Sequence, residues 1–284
     1  MTIISKEIYE LPDDQRFIRI SSAIDDRDDE RIFEGDKVSI VLPTYNEKKN
    51  LLLLVPVIEE IFQKFKINGN IIVVDDNSID ETALVALRFA KAFRNITVIQ
   101  RPGKLGLGSA YRIGFKYALD HGSKFIFEMD ADLSHRPSYI PKFLKCAKKY
   151  EAGLVIGSRY CGKGSTRDWP LKRKLISFSA NLLTRVALRI KQTRDITSGF
   201  RAYNAETLRA IKYDMLTTNG YAWQIETLHR TKQAKMKIKE IPIIFHNREM
   251  GKSKLGPDDV KEFIIFLVKA AFNKFASIFS VLRH

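Results

Sequence analysis

Two carboxylates stand one residue apart at the end of an apolar segment. Residues 125–129 form an apolar run of strand length, and Asp130, Ala131 and Asp132 follow it directly. Residues two apart in an extended chain point the same way, so both carboxylates can converge on one ligand. Like charges held that close repel each other unless a cation lies between them. Mg²⁺ or Mn²⁺ carrying a phosphorylated substrate suits such oxygen ligands, and a solvated turn is the competing interpretation.

Polar residues that could bind a ligand also follow three other predicted strands. Residues 37–42, 70–74 and 153–157 are short apolar runs. In open parallel sheets, ligands bind in the crevice beyond the carboxyl ends of the strands. The sequence therefore predicts one site at one edge of a sheet, formed by Pro43-Thr44-Tyr45-Asn46-Glu47, Asp75-Asp76-Asn77-Ser78, Asp130-Ala131-Asp132 and Ser158-Arg159-Tyr160.

Segments of helical periodicity alternate with these strands. Apolar residues recur at helical spacing over residues 50–65, 80–93, 110–121 and 139–149. This order predicts an α/β fold, a Rossmann-like, mostly parallel sheet with helices on both faces. The glycine-containing loop 101–109 matches neither a Walker loop nor GxGxxG, and it predicts only a turn near the site.

The second half of the chain is less regular. It predicts a basic helix over residues 170–189, a turn at 195–200 and a strand at 201–203. A helix over 221–231, a strand over 236–245 and a polar loop at 246–256 follow.

The composition indicates a basic protein with a substantial core. The 284 residues carry a net charge of +15, and 45% of them are hydrophobic. Such a charge favours phosphorylated ligands, an anionic membrane or nucleic acid. The two cysteines, Cys146 and Cys161, form no disulfide framework, which favours a reducing compartment. The sequence shows neither a secretory signal nor an apolar run of membrane-spanning length.

Charge and hydropathy divide the chain into three parts. We expect a partly mobile extension at residues 1–35, a catalytic domain at 36–256 and an amphipathic C-terminal helix at 257–284. The apolar face of this last helix is too wide to remain in water. It packs on the domain, meets a partner or lies on a membrane surface.

Five short motifs occur together and in order: PTYNE from Pro43, VDDNS from Val74, MDADLSH from Met129, GSRY from Gly157 and GKSKLG from Gly251. Together they resemble the dolichol-phosphate mannose synthases of glycosyltransferase family 2, over about residues 37–256. The segments 168–177 (DWPLKRKLIS) and 198–201 (SGFR) strengthen the resemblance. It implies the A-type glycosyltransferase fold, a GDP-mannose donor, a Mg²⁺ or Mn²⁺ cofactor and a dolichyl or other polyprenyl phosphate acceptor, with inversion at the anomeric carbon.

The resemblance also implies a role for particular residues. It implies that Asp130, Asp132 and Arg159 are catalytic, and that Asp130, Asp132 and Ser134 bind the metal. Arg159, Arg173 and Ser177 would bind the acceptor phosphate. The donor would be bound by Pro43, Tyr45, Glu47, Val74, Asp76, Asp130, Ala131, Asp132, Ser134, Arg159, Arg248 and Lys254. Asn77 departs from the family, which commonly has glycine at that position.

The residues agree with this chemistry without the resemblance. A phosphate acceptor is already an anion, so its attack needs no general base, and the sequence shows no nucleophile–histidine pair. Such a reaction needs a metal and cations that neutralise the leaving diphosphate. His135 could touch a phosphate, but a hydrogen bond to the backbone is the favoured interpretation because only its proximity connects it to the motifs.

Other interpretations remain open from the sequence alone. The same fold could transfer glucose or another sugar to a polyprenyl phosphate. A nucleic-acid-binding protein is allowed by the charge but lacks a recognised motif, and an inactive subunit is a third class. We expect peripheral membrane association, at the cytosolic face of the endoplasmic reticulum or of a prokaryotic cell membrane, with or without small anchoring subunits.

Overall fold

The structure is a computed structural model that describes residues 33, 35–166, 169, 171–220, 222–246 and 261–269, with residue 172 described by its backbone only. Within these residues, the centre of the fold is a seven-stranded sheet in the order β3-β2-β1-β4-β7-β5-β8. A second, two-stranded sheet pairs β6 with β9. The strands are β1 Lys37–Thr44, β2 Asn68–Asp75, β3 Ile96–Gln100, β4 Phe125–Glu128, β5 Leu154–Ser158, β6 Ser165–Thr166, β7 Arg201–Asn204, β8 Ile238–Pro242 and β9 Ile244–Phe245.

Helices cover both faces of the central sheet, as the sequence predicts. One face packs residues such as Leu51, Phe89 and Phe143 against the strands, and the other packs Phe115 and Trp223. The helices are α1 Lys48–Lys64, α2 Thr82–Phe93, α3 Leu107–Asp120, α4 Ile140–Tyr150, α5 Leu171–Ala187, α6 Ala205–Ala210, α7 Trp223–Gln233 and α8 at residues 261–269, with 3₁₀ turns at Pro137–Tyr139 and Tyr213–Met215. The sheet is mostly parallel, and the predicted α/β architecture is confirmed.

Strand β7 is the exception to the parallel order. It lies between β4 and β5 and runs antiparallel to both. The sequence predicts a short strand at 201–203 but not its direction, because strand direction depends on the path of the chain rather than on the local residue pattern. The strand predicted over residues 236–245 is divided: β8 joins the central sheet beside β5, and β9 pairs with β6.

Strand β1 extends further than the sequence predicts. We expect Pro43 to end the strand, but Pro43 remains in register opposite Val74 of β2. On its other side, β1 pairs with β4 only as far as Val41 opposite Glu128. At Pro43 the strand therefore has one paired neighbour, which tolerates the missing N–H.

Described residues on both sides of the predicted catalytic domain contact its core. Phe33 falls in the expected N-terminal extension, yet it is buried in the core and meets Phe65 edge-to-face with the ring centroids 6.0 Å apart. At the other end, Phe263, Phe266 and Leu267 of α8 pack against the core. Residues 1–32 and 270–284 lie outside the described residues. Among the residues described, no helix is long and apolar enough to cross a membrane.

Candidate active site

The loops after β1 and β2 are tied together at one end of the sheet. The Thr44 hydroxyl donates to Asp75 Oδ1 at 2.9 Å, and the Ser78 hydroxyl donates to the same oxygen at 2.6 Å. The backbone N–H of Asn46 donates to Ser78 Oγ at 2.8 Å, and its side-chain oxygen accepts from the N–H of Ile79. Asp75 therefore shapes the two loops, while the next residue, Asp76, is directed elsewhere.

Asn77 adopts the left-handed backbone conformation, with φ of 58°. Glycine is the default residue for this conformation, and asparagine is among the side chains that enter it at low cost. The departure from the family's glycine is thus compatible with the same turn.

Asp76 forms a buried ion pair with Arg101. The guanidinium Nε donates to Asp76 Oδ1 at 2.5 Å, and Nη2 also contacts that oxygen. Arg101 reaches Ser109 and the carbonyl of Gly106 at the start of α3 as well. Burial raises the pKa of Asp76, and the contact with Arg101 opposes that rise. The glycine-containing loop therefore enters the site through its first residue, Arg101, which our sequence interpretation did not single out.

Other residues predicted to bind the donor lie in β2 or just after β1. Tyr45 is half-buried, and the Lys104 ammonium lies 5.7 Å from its ring centroid. Glu47 precedes α1 and accepts from the Asn50 side chain at 2.5 Å. Val74 is fully buried within β2.

The acidic loop after β4 forms a compact turn. Asp132 is buried, and its Oδ1 accepts both the N–H of Ser134 at 3.1 Å and the Ser134 hydroxyl at 2.5 Å. The side chain of Asp130 is more open, at 28% exposed. Leu133 has φ of 64°, which lets the chain reverse between the acids and Ser134. In this arrangement the predicted metal ligand Ser134 orients Asp132, and Ala131 is buried between the two acids.

His135 bonds to the backbone of the acidic loop. Its Nδ1 accepts the backbone N–H of Asp130 at 3.3 Å, so the favoured sequence interpretation, a histidine bonded to the backbone, is confirmed. The imidazole stacks on Phe200 with centroids 5.1 Å apart. It also meets Phe245 of β9 edge-to-face at 5.3 Å.

A buried polar cluster lies under the acidic pair. Glu128 accepts from the Trp223 indole N–H at 2.7 Å, and burial raises the pKa of Glu128 to about 7. Burial also raises the pKa of Tyr111 well above its usual value, and the negative charges of Asp130, Glu128 and Asp132 add to this rise. The Tyr111 hydroxyl is buried and makes no hydrogen bond within the described part of the chain. The negative charges of Asp130 and Asp132 favour a cation at the site.

The acidic pair fits a metal that completes its shell with a substrate. The described residues contain no group of three or more His, Cys, Asp or Glu side chains that could hold a metal ion. Mg²⁺ is usually bound through one or two carboxylates together with substrate phosphates, so two acids suffice. Gly199 has no side chain and so leaves space beside the acidic pair. A Cβ at this position would fill that space, 3.5 Å from Asp130 Oδ2 and 3.7 Å from Gln224 Nε2.

Arg159, at the end of β5, is held in a buried ion pair with Asp195. Its Nε donates to Asp195 Oδ2 and its Nη2 to Oδ1, each at 2.7 Å. The backbone N–H of Arg159 donates to the same carboxylate, and Nη2 also donates to Thr197 Oγ1. Asp195 is fully buried. A bidentate pair of this kind fixes the plane of the guanidinium, so Arg159 presents a rigid charge.

The residues predicted to bind the acceptor phosphate lie together beside Arg159. The Trp169 ring lies near two guanidinium groups, with Arg159 Cζ 5.3 Å and Arg173 Cζ 4.1 Å from its centroid. The Tyr160 hydroxyl donates to Ser177 Oγ at 2.8 Å. Trp169 Nε1 is buried and makes no hydrogen bond with any residue that the structure describes. We refer to these five residues as the cationic cluster.

One aromatic layer joins the acidic loop to the cationic cluster. Phe245 contacts His135 on the acidic side, and it contacts Trp169 at 5.4 Å and Arg159 at 5.6 Å on the other. A single layer of rings therefore separates the acidic pair from the guanidinium groups of the cationic cluster. Such an arrangement can hold a metal-bound diphosphate next to a second anion.

Some predicted site residues lie outside the described residues, and other residues of the site had no role predicted from the sequence. Arg248 and Lys254, the predicted clamp on the donor diphosphate, lie outside the described residues. Trp169 and Gly199 lie within predicted motifs, and Asp195 begins a predicted turn, but the sequence indicates no role for them. Nothing local shows that Asp195 folds back onto Arg159. Arg201 of the SGFR segment is fully buried and donates to the carbonyls of Ser198, Ile196 and Gln224, so it holds the loop that contains Gly199.

Comparison with known proteins shows the family of this chain. Residues 39–212 match the family described as glycosyl transferase family 2. The chain belongs to that family. It is 38% identical to the undecaprenyl-phosphate mannosyltransferase of Micrococcus luteus, over 81% of this chain and 91% of that one. It is also 38% identical to the polyprenol monophosphomannose synthase of Mycolicibacterium smegmatis, over 78% and 82% of the two chains. The chain is thus a glycosyltransferase.

Solved structures of the same fold include the glucosyl-3-phosphoglycerate synthase of Mycobacterium tuberculosis. Its complex with Mn²⁺, UDP-glucose and phosphoglyceric acid matches with a TM-score of 0.60 and 17% identity, over 86% of this chain and 81% of that one. A second complex of that enzyme, with Mn²⁺, UDP and glucosyl-3-phosphoglycerate, matches with a TM-score of 0.59 and 18% identity. These likenesses confirm the predicted A-type glycosyltransferase fold.

Proposed function

We propose that the chain transfers mannose from GDP-mannose to dolichyl or another polyprenyl phosphate, with inversion, and that Mg²⁺ or Mn²⁺ is required. The observation that carries the proposal is the juxtaposition of the acidic pair with the cationic cluster through Phe245. The names of the two relatives, an undecaprenyl-phosphate mannosyltransferase and a polyprenol monophosphomannose synthase, support the acceptor and the sugar. The Mn²⁺ in the solved neighbours supports the metal.

The reaction needs no proton transfer. An acceptor phosphate oxygen attacks the anomeric carbon, the bond from that carbon to the donor diphosphate breaks, and GDP leaves with the electron pair. The metal, when bound, neutralises negative charge on the leaving diphosphate. Asp130 and Asp132 hold the cation, and Arg159, Arg173 and Ser177 bind and orient the acceptor phosphate. Arg173 suits this task because a planar guanidinium fork can bind two oxygens of one phosphate, whereas the Nε and Nη2 groups of Arg159 already bind Asp195.

The donor nucleoside is proposed to lie over the ends of β1 and β2. Tyr45 offers a ring face, and Glu47 and Asp76 offer carboxylates for a guanine ring, with Pro43 and Val74 shaping the floor. Arg101 holds the Asp76 side chain in place and thereby determines where the Asp76 carboxylate can contact the guanine ring. Arg248 and Lys254 are proposed to contact the diphosphate.

We further propose that residues 36–256 form the catalytic unit and that the enzyme is peripheral to a membrane. The tail at 257–284, alone or with small anchoring subunits, is proposed to contribute to attachment. Both relatives are bacterial, which favours the cytoplasmic side of the cell membrane over the endoplasmic reticulum.

The decisive test is transfer of labelled sugar to a short polyprenyl phosphate. Purified protein is given GDP-mannose or UDP-glucose, with Mn²⁺, with Mg²⁺ or with EDTA. Metal-dependent transfer from GDP-mannose is expected. Transfer from UDP-glucose alone would contradict the mannose specificity and favour the glucosyl alternative. Failure with both donors despite metal-dependent binding of GDP would contradict the proposal and indicate a subunit inactive on its own.

A further inference from the structure

Helix α5 has its polar residues toward the protein and its large apolar residues toward solvent. Asn181 is buried, donates to Thr197 Oγ1 at 3.2 Å and accepts the backbone N–H of Ile196 at 2.7 Å. The buried residues of the helix recur every three or four positions and are Ser177, Asn181 and Thr184. A helix that packs on a hydrophobic core shows the opposite arrangement.

The outer face of α5 is strongly apolar. Seven of the 17 residues in α5 are large apolar side chains that are 47% to 73% exposed. They extend from Leu171 to Val186 and include Leu175, Phe178 and Leu182. Monomeric soluble proteins rarely leave a contiguous apolar patch of this extent in water, so a partner is expected to cover it.

The charges of α5 indicate the chemistry of that partner. The helix contains no acidic residue, and Arg173, Lys174 and Arg185 lie along it, with Arg189 just beyond its end. The Lys232 ammonium donates to the carbonyls of Leu188 and Arg189, just beyond the C-terminal end of α5, and adds a further positive charge there. An amphipathic helix with an apolar face bordered by basic side chains is typical of segments that lie on anionic lipid.

We propose that the outer face of α5 binds the surface of an anionic lipid bilayer, with the helix axis in the membrane plane. The 17 residues of α5 are about 25 Å long, less than the ~30 Å hydrocarbon core of a bilayer. The polar side of the helix is also bonded to the protein. The helix therefore lies on the bilayer rather than crossing it.

The position of this face explains how a lipid acceptor reaches the site, a step that rests on the proposed function. Arg173 and Ser177 belong to both α5 and the cationic cluster. With the apolar side chains of α5 in the interface, the cationic cluster lies at the depth of the lipid phosphates. A polyprenyl chain can then stay in the bilayer while its phosphate contacts Arg173.

The experiment compares vesicle binding with transfer to a soluble acceptor. The full-length protein and the triple variant Leu175→Gln, Phe178→Gln and Leu182→Gln are sedimented with vesicles of 70% phosphatidylcholine and 30% phosphatidylglycerol. Glutamine keeps the helix propensity, and these side chains are exposed, so the fold is expected to persist. We expect the partition coefficient of the triple variant to fall about 100-fold, because three large apolar side chains no longer enter lipid.

A matched control replaces exposed apolar residues elsewhere. Leu84 and Leu87 of α2 are 45% and 44% exposed, and the variant Leu84→Gln, Leu87→Gln is expected to bind vesicles like the wild type. Removing phosphatidylglycerol is expected to weaken wild-type binding about tenfold or more. Unchanged vesicle binding by the triple variant would overturn the proposal, since the tail or another surface would then carry the attachment.

Two further outcomes separate this inference from its rivals. If the wild type is a lipid-free dimer that the triple variant converts to a monomer, a second copy covers α5 and the proposal is wrong. Transfer to a short, water-soluble prenyl phosphate is expected to be equal in the wild type and the triple variant. If neither the wild type nor the triple variant transfers sugar to this acceptor while the wild type still binds vesicles, the proposed function is wrong. The proposal that α5 binds the membrane would then still hold.

Discussion

Removing one partner of the buried pair of Arg159 and Asp195 should destabilise the protein strongly, because the remaining charge stays buried. In the variant Asp195→Asn, the side chain keeps its shape but loses the charge that accepts Arg159 Nε and Nη2 at 2.7 Å. Breaking a buried ion pair by removing one partner costs about 3–5 kcal/mol, because the other charge stays buried. Since asparagine still accepts one of the hydrogen bonds, we expect the lower end, about 3 kcal/mol.

Urea unfolding followed by circular dichroism measures this loss. The control is Asp120→Asn, which removes the exposed pair with Lys116 at the end of α3 and should change the free energy of unfolding by less than about 1 kcal/mol. The double variant Arg159→Met, Asp195→Asn should lose less than the sum of its single variants. A loss below about 1 kcal/mol in Asp195→Asn would refute the argument that this pair fixes Arg159.

Three smaller predictions test other parts of the site and the fold. Gly199→Ala places a methyl group 3.5 Å from Asp130 Oδ2, so we expect an unchanged melting temperature but a loss of about tenfold or more in kcat/KM for the donor, measured by transfer kinetics. Asn77→Ala should destabilise the protein by about 1 kcal/mol in urea because φ is 58°, whereas Asn77→Gly should not. Burial raises the pKa of Glu59, so stability should fall as the pH rises from the ordinary glutamate value through the raised one, and Glu59→Gln should remove that slope in urea titrations at several pH values.

Much of the first half of the fold could be predicted from the sequence. Strand β5, Leu154–Ser158, lies where a strand was predicted over residues 153–157, and α2 ends at Phe93 as expected. Apolar periodicity determines such elements locally. The antiparallel strand β7 could not be predicted, because its direction depends on contacts with β4 and β5 that no local pattern encodes.

The site was predictable at the level of motifs and less so at the level of contacts. The acidic loop and the positions of Arg159, Arg173 and Ser177 beside one another follow from the motifs. Their partners do not, because Asp195 is 36 residues from Arg159 along the chain and Arg101 is 25 from Asp76. The sequence predicts a basic helix at α5, but only the structure shows that its large apolar residues face outward.

The central claim is that the acidic pair binds a metal together with a nucleoside diphosphate. Isothermal titration of GDP into the protein, with and without Mn²⁺, tests it directly, using the wild type, Asp132→Asn and the control Asp120→Asn. We predict that Mn²⁺ strengthens GDP binding at least about tenfold in the wild type and the control, and that Asp132→Asn loses this enhancement while remaining folded. Equal Mn²⁺ enhancement in Asp132→Asn and the wild type would contradict the account.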